Sequence, residues 1–88
     1  KPKMPIEVDK PLKFQHKITR IRYESEDFFW VMMGNKIYPL KKDSVDVLNE
    51  IANNIFSIRE LNMKYGISLK LLQSFFTRLH SDFVVVSV

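Results

Sequence analysis

The sequence predicts an α+β fold in which a three-stranded antiparallel meander is followed by three helices. Three observations carry this. The hydrophobic pattern changes from a strand period to a helix period just after Leu40. Gly34-Asn35 separates two short strand-like runs, as a hairpin turn would. Ser57-Ile58-Arg59-Glu60 is a capping box and marks a helix start.

The elements follow in order. Residues 1–12 hold Pro2, Pro5 and Pro11, so this lead is expected to be extended and irregular, with a single domain over 13–88. Ile18-Thr19-Arg20-Ile21-Arg22-Tyr23 is rich in β-branched residues and reads as the first strand. Ser25-Glu26-Asp27 is a polar turn. Phe28-Phe29-Trp30-Val31-Met32-Met33 is apolar on both faces, which puts it in the middle of the sheet with at least partial cover on each side. Gly first in the next loop suits a type II′ turn into Lys36-Ile37-Tyr38-Pro39-Leu40. Pro39 fits an edge strand.

Asp43 or Ser44 is the expected cap of a first helix running to about Asn53, with Val45, Leu48, Ile51, Ala52 and Ile55 on one stripe. Ser57 caps a short second helix that stops at Gly66, and Phe56 and Leu61 stand where a hydrophobic staple would sit. Ser68 opens a third helix to about His80, with Leu72, Phe76 and Leu79 deepest and Leu71, Phe75 and Arg78 on one flank. Phe83-Val84-Val85-Val86 is a final strand or extended tail. Helix, short helix, Gly-Ile-Ser turn and longer helix make a helix-turn-helix arrangement, so the whole is winged helix-turn-helix-like.

Composition narrows function. An apolar fraction of 45% and a charged fraction of 27% suit one folded domain of 88 residues. There is no cysteine, which removes disulfides, thiolate metal sites and cysteine nucleophiles, and fits a cytoplasmic setting. The longest apolar run is Phe28 to Met33, too short to span a membrane, and no signal peptide is visible. Residue 1 is Lys, which reads as a trimmed chain or a domain cut from something longer. The two glycines are isolated, so there is no phosphate loop. No Ser/His/Asp set has a recognisable context, and His16 and His80 do not form a metal-ligand pattern. A non-catalytic binding domain with no cofactor and no metal is the expectation.

The charge is uneven. Residues 1–42 carry ten basic and five acidic side chains; residues 43–88 carry four basic and five acidic. The basic surplus therefore lies on the sheet side. Duplex DNA is the alternative ligand of such a fold, read by Lys70, Gln73, Ser74, Thr77, Arg78 and His80 on the third helix. That set has two certain cations in a net-acidic half, which is poor for phosphate contact. A free third strand beside the third helix suits an added peptide strand better, with main-chain bonds from Lys36, Ile37 and Tyr38 and a wall built by the third helix.

The element order, with Tyr38-Pro39-Leu40 leading into Asp43-Ser44-Val45-Asp46-Val47-Leu48, resembles the PqqD-like domains, also called RiPP recognition elements, over about residues 13–86. The family often has Asn directly after that Leu, where this chain has Lys41. The resemblance implies a domain that binds the leader segment of a ribosomally made precursor peptide as a further strand against the third strand and beside the third helix. It implies delivery to a peptide-modifying enzyme, fused or separate, and no chemistry of its own. Carried over by position, Lys36, Ile37, Tyr38, Leu40, Leu71, Phe75 and Arg78 would form the peptide-binding groove. Pro39 would break or end the peptide ladder.

Overall fold

The computed structural model describes residues 4–88, so Lys1, Pro2 and Lys3 of the lead lie outside the described residues. The order is β1 (Leu12–Phe14), β2 (Ile18–Ser25), β3 (Phe28–Met33), β4 (Lys36–Lys41), α1 (Lys42–Ile51), α2 (Ile58–Tyr65), α3 (Leu69–Ser81) and β5 (Val85–Ser87). β2, β3 and β4 form an antiparallel sheet with β3 in the middle, as the apolar run of that strand requires. Gly34 has φ of +63° and Asn35 has none of the positive φ values, which is the type II′ pattern expected of a Gly-first loop.

β1 and β5 make a second, two-stranded antiparallel ribbon, pairing Leu12 with Ser87 and Phe14 with Val85. The lead is irregular through Pro11, as its prolines imply, yet it is not loose. Ile6 and Leu12 are buried in the common core. The Ile6 N–H donates to Thr77 Oγ1 at 3.0 Å, Gln73 Nε2 donates to Ile6 O at 2.8 Å, and Arg59 Nε meets Asp9 Oδ1 at 2.6 Å. Leu12 exchanges main-chain bonds with Phe56 at 2.7 and 2.9 Å. The expected division between a lead ending at residue 12 and a domain starting at 13 thus falls within one packed unit.

The helices follow their local signals with one exception. Ser57 Oγ accepts from the Glu60 N–H at 3.2 Å, and the staple residues Phe56 and Leu61 are both buried. Gly66 closes α2 at φ of +69°. Ser68 caps α3 by accepting from the Leu71 N–H at 3.4 Å. α1 is the exception. Neither Asp43 nor Ser44 caps it; the helix starts at Lys42, directly from β4, with Lys41 at the cap position and no side-chain bond. It ends at Ile51, so Ile55 falls outside it and is exposed.

The core lies between the inner face of the meander and the three helices. Val31, Met33, Tyr38 and Leu40 meet Val45, Leu48, Leu72, Phe76 and Leu79 there. Phe76 sits at its centre, with its ring centroid 5.1 Å from Phe56, 5.3 Å from Phe75 and 6.4 Å from Phe14. The expected cover of β3 is full on the inner face at Val31 and Met33 and partial on the outer one. Phe28, Trp30 and Met32 are partly open to solvent on the outer face.

α3 ends in a Schellman motif. The Val84 N–H donates to Leu79 O at 2.9 Å and the Phe83 N–H donates to His80 O at 3.2 Å. The residue at its left-handed position is Phe83, at φ of +61°, where glycine is the usual occupant. Its ring is largely exposed and offsets none of that strain by burial.

Phe76→Ala is expected to destabilise the protein by roughly 3–5 kcal/mol in denaturant unfolding, the cost of a large cavity at the core centre. Phe83→Gly is expected to stabilise it by about 0.5–1 kcal/mol in the same assay, because relief of left-handed strain outweighs the added freedom of the unfolded chain.

Candidate peptide-binding groove

The site is built on β4. The Gly34-Asn35 loop closes on a hydrogen-bonded pair, Met33 with Lys36, and the pairs then alternate along the ladder. Val31–Tyr38 and Phe29–Leu40 are therefore bonded pairs, and Met32–Ile37, Trp30–Pro39 and Phe28–Lys41 are not. The next bond in the same phase is present: the Lys42 N–H donates to Asp27 O at 3.3 Å. It follows that Ile37, Pro39 and Lys41 turn their main-chain groups to the free edge. Lys36 and Tyr38 spend theirs on β3 and cannot bond an added strand. Of the three main-chain donors expected from the sequence, only Ile37 has the right phase, and Lys41 joins it. Pro39 sits on the outward side, where its missing N–H costs the sheet nothing. An added strand would find a donor, a gap and a second donor.

Side chains alternate in the other sense. Tyr38 and Leu40 point into the core; Ile37, 53% exposed, points to the outer face. Tyr38 joins β4 to α3. Its hydroxyl donates to Asp82 Oδ2 at 2.7 Å, its ring meets Phe75 edge-on at 6.3 Å, and the Arg78 guanidinium lies 5.1 Å from its centroid. Burial first, then the bond to Asp82, push the phenol far above its ordinary range; the charge of Arg78 works weakly the other way.

Beside this joint lies an apolar cleft of about 240 Å³ between α1 and α3. Leu40, Val47, Leu48, Ile67, Leu71 and Phe75 line it among others. Phe75 borders both the cleft and Tyr38, so the cleft and the β4 edge form one groove. Leu71 is 67% exposed and leaves apolar area uncovered at the rim.

The seven residues selected from the sequence are therefore brought together unequally. Leu40, Leu71 and Phe75 line the cleft. Arg78 stacks on Tyr38 at its flank. Tyr38 is buried, and its side chain holds the wall rather than meeting a ligand. Ile37 contributes main chain to the edge and side chain to the opposite face. Lys36 is exposed at the hairpin end of the strand. Sequence reasoning missed Val47 and Ile67. Val47 stands three residues after Ser44 on the flank of the α1 stripe, which is the signal that could have found it. Ile67 lies in a turn and gave no periodic signal.

On α3, the residues a DNA reading would use are partly occupied. Gln73 and Thr77 bond the main chain of Ile6, and Arg78 is on Tyr38. Among the described residues, no group of three His, Cys, Asp or Glu side chains comes together as a metal site, and no helix is long and apolar enough to cross a membrane. Comparison with known proteins finds no family model that matches the chain, no matching curated protein and no matching solved structure.

Tyr38→Phe is expected to cost about 1–2 kcal/mol, because it leaves Asp82 without its donor. A phenol raised in the folded state adds stability in full below the ordinary value of about 10, and that stability is lost as pH rises beyond it. The difference in unfolding free energy between wild type and Tyr38→Phe should therefore be constant from neutral pH up to about 10 and shrink above that. Absorbance titration of the tyrosinate band should lose its latest component in the variant.

Proposed function

We propose that this chain is a leader-recognition domain. It binds an extended segment of a ribosomally made precursor peptide by strand addition to β4 beside α3, and delivers it to a peptide-modifying enzyme. One observation supports this most: an outward main-chain edge at Ile37 and Lys41 runs beside an apolar cleft rimmed by the exposed Leu71. The edge gives main-chain bonds and the cleft takes an apolar side chain of the peptide. Lys36 and Lys41 favour a leader with acidic residues and speed its association. The winged-helix assignment, the absence of catalysis by the domain itself and a cytoplasmic setting belong to the same reading.

Binding raises the local concentration of the attached core peptide at the enzyme, up to about millimolar for a short linker. The domain then needs no reactive group. Affinity is moderate, because an extended peptide loses conformational freedom when it docks. Of the six α3 side chains that the duplex-DNA alternative would use, Ile6 and Tyr38 already engage Gln73, Thr77 and Arg78.

The test is an amide NMR titration with the leader peptide encoded beside the gene. Shifts are expected at residues 37–41 and along 69–79. Ile37→Pro removes an outward donor without touching the bonds to β3, so affinity should fall roughly tenfold or more while the fold survives. Undiminished binding in a folded Ile37→Pro protein would move the groove elsewhere. A sub-micromolar complex with a specific duplex at physiological salt would replace this reading with the DNA one.

A further inference from the structure

The outer face of the meander carries a second surface that the groove does not use. A shallow basin of about 400 Å³ is lined by Arg20, Arg22, Trp30, Met32 and Ile37, all of them strand residues. Trp30, the one tryptophan of the chain, is 38% exposed in the middle of the sheet. Tryptophan, methionine and arginine around an apolar centre are the residue types enriched at protein interfaces. The rim is basic. Arg22 has Glu24 at 3.9 Å, in an exposed pair, and Arg20 has no carboxylate partner among the described residues. A surface that complements this one carries an apolar projection flanked by carboxylates.

Ile37 links this basin to the groove. Its main chain faces the free edge of β4 and its side chain lines the basin. A strand added to that edge would place alternate side chains on the outer face next to Ile37. A body docked over Trp30 and Ile37 would therefore touch the domain and the bound strand together. We propose that this basin is the docking surface for the modifying enzyme, met by an acid-rimmed apolar patch on that enzyme. It binds the leader-loaded domain more tightly than the empty one. The identity of this partner and the tighter binding both rest on the leader reading above. By reciprocity, the enzyme tightens the leader by the same factor. A nucleic acid strand suits the face less well, because Met32 and Ile37 occupy the ground beside the indole where further bases would stack.

The Trp30 indole N–H gives a single isolated NMR signal, so the labelled domain reports on this face directly. It is titrated with the peptide-modifying enzyme encoded beside the gene, with and without the leader peptide. The Trp30 signal is expected to shift or broaden with enzyme alone, and at several-fold lower enzyme concentration with leader present. Arg20→Glu/Arg22→Glu is expected to weaken enzyme binding at least tenfold, while the leader-induced shifts at residues 37–41 and 69–79 persist. Enzyme binding unchanged in that double variant, or enzyme effects confined to residues 69–79, would overturn the docking surface. So would movement of Trp30 on raising the concentration of the domain alone, which means a second copy covers the face, or movement with a single-stranded oligothymidylate. If the leader itself fails to bind the wild-type domain, the peptide reading falls, while a Trp30 response to enzyme alone still supports the docking surface.

Discussion

The joint between Tyr38 and the end of α3 is the constraint on which the rest depends. β4 is bonded to β3 along one edge only, and nothing in the sheet fixes its tilt toward the helices. Tyr38 does that. Its ring is packed between Phe75 and Arg78, and its hydroxyl is tied to Asp82 just past the helix. A buried phenol with a carboxylate acceptor resists both ionisation and displacement, because either leaves a polar group unpaired. With β4 held at that angle, Leu40 closes the floor of the cleft and Phe75 becomes the shared wall of cleft and edge.

The hairpin turn fixes the second half of the geometry. The length of the Gly34-Asn35 loop sets the phase of the β3–β4 ladder, and that phase decides which residues of β4 look outward. Pro39 obeys it by lying on the outward side. The other edge of the sheet is handled differently. β2 is longer, but it carries register shifts near Ile18–Arg20 and Tyr23–Ser25 and exposes Arg20, Arg22 and Glu24. Bulges and charges of that kind blunt an edge against added strands. β4 has no bulge and so is the better acceptor of the two, despite its proline.

What could be read from the sequence was local. Capping at Ser57 and Ser68, the stop at Gly66, the meander and the depth order on α3 follow from signals spanning a few residues, and the structure agrees with each. What was missed depends on contacts between distant parts of the chain. β1 is three residues long and shows no period of its own, and the final strand expected at 83–86 is β5 at Val85–Ser87, whose partner β1 comes from the opposite end of the chain. Ile6 is buried because Gln73 and Thr77 hold its main chain, and nothing near Ile6 announces them. The α1 cap failed because the β4 ladder continues to Lys41 and delivers the chain straight into the helix. Tyr38 faces the core and ties β4 to α3, a role no local pattern carries. Alternation says which face it takes, not that an aspartate waits there.

The docked lead also bears on which face of α3 is free. Ile6 covers the side carrying Gln73 and Thr77, and Tyr38 covers the side carrying Arg78. The exposed apolar flank that remains is at Leu71, over the cleft. A helix with three of its six outward polar residues engaged by its own chain, and with an apolar open flank, is poorly arranged to enter a DNA groove, where phosphate contacts must come from the helix and its surroundings. It is well arranged to serve as the wall of a groove whose other wall is a strand edge. In the proposed reading, Lys36 and Lys41 act from the sheet side, beside the peptide rather than beneath it, where they steer an acidic segment without having to be buried with it.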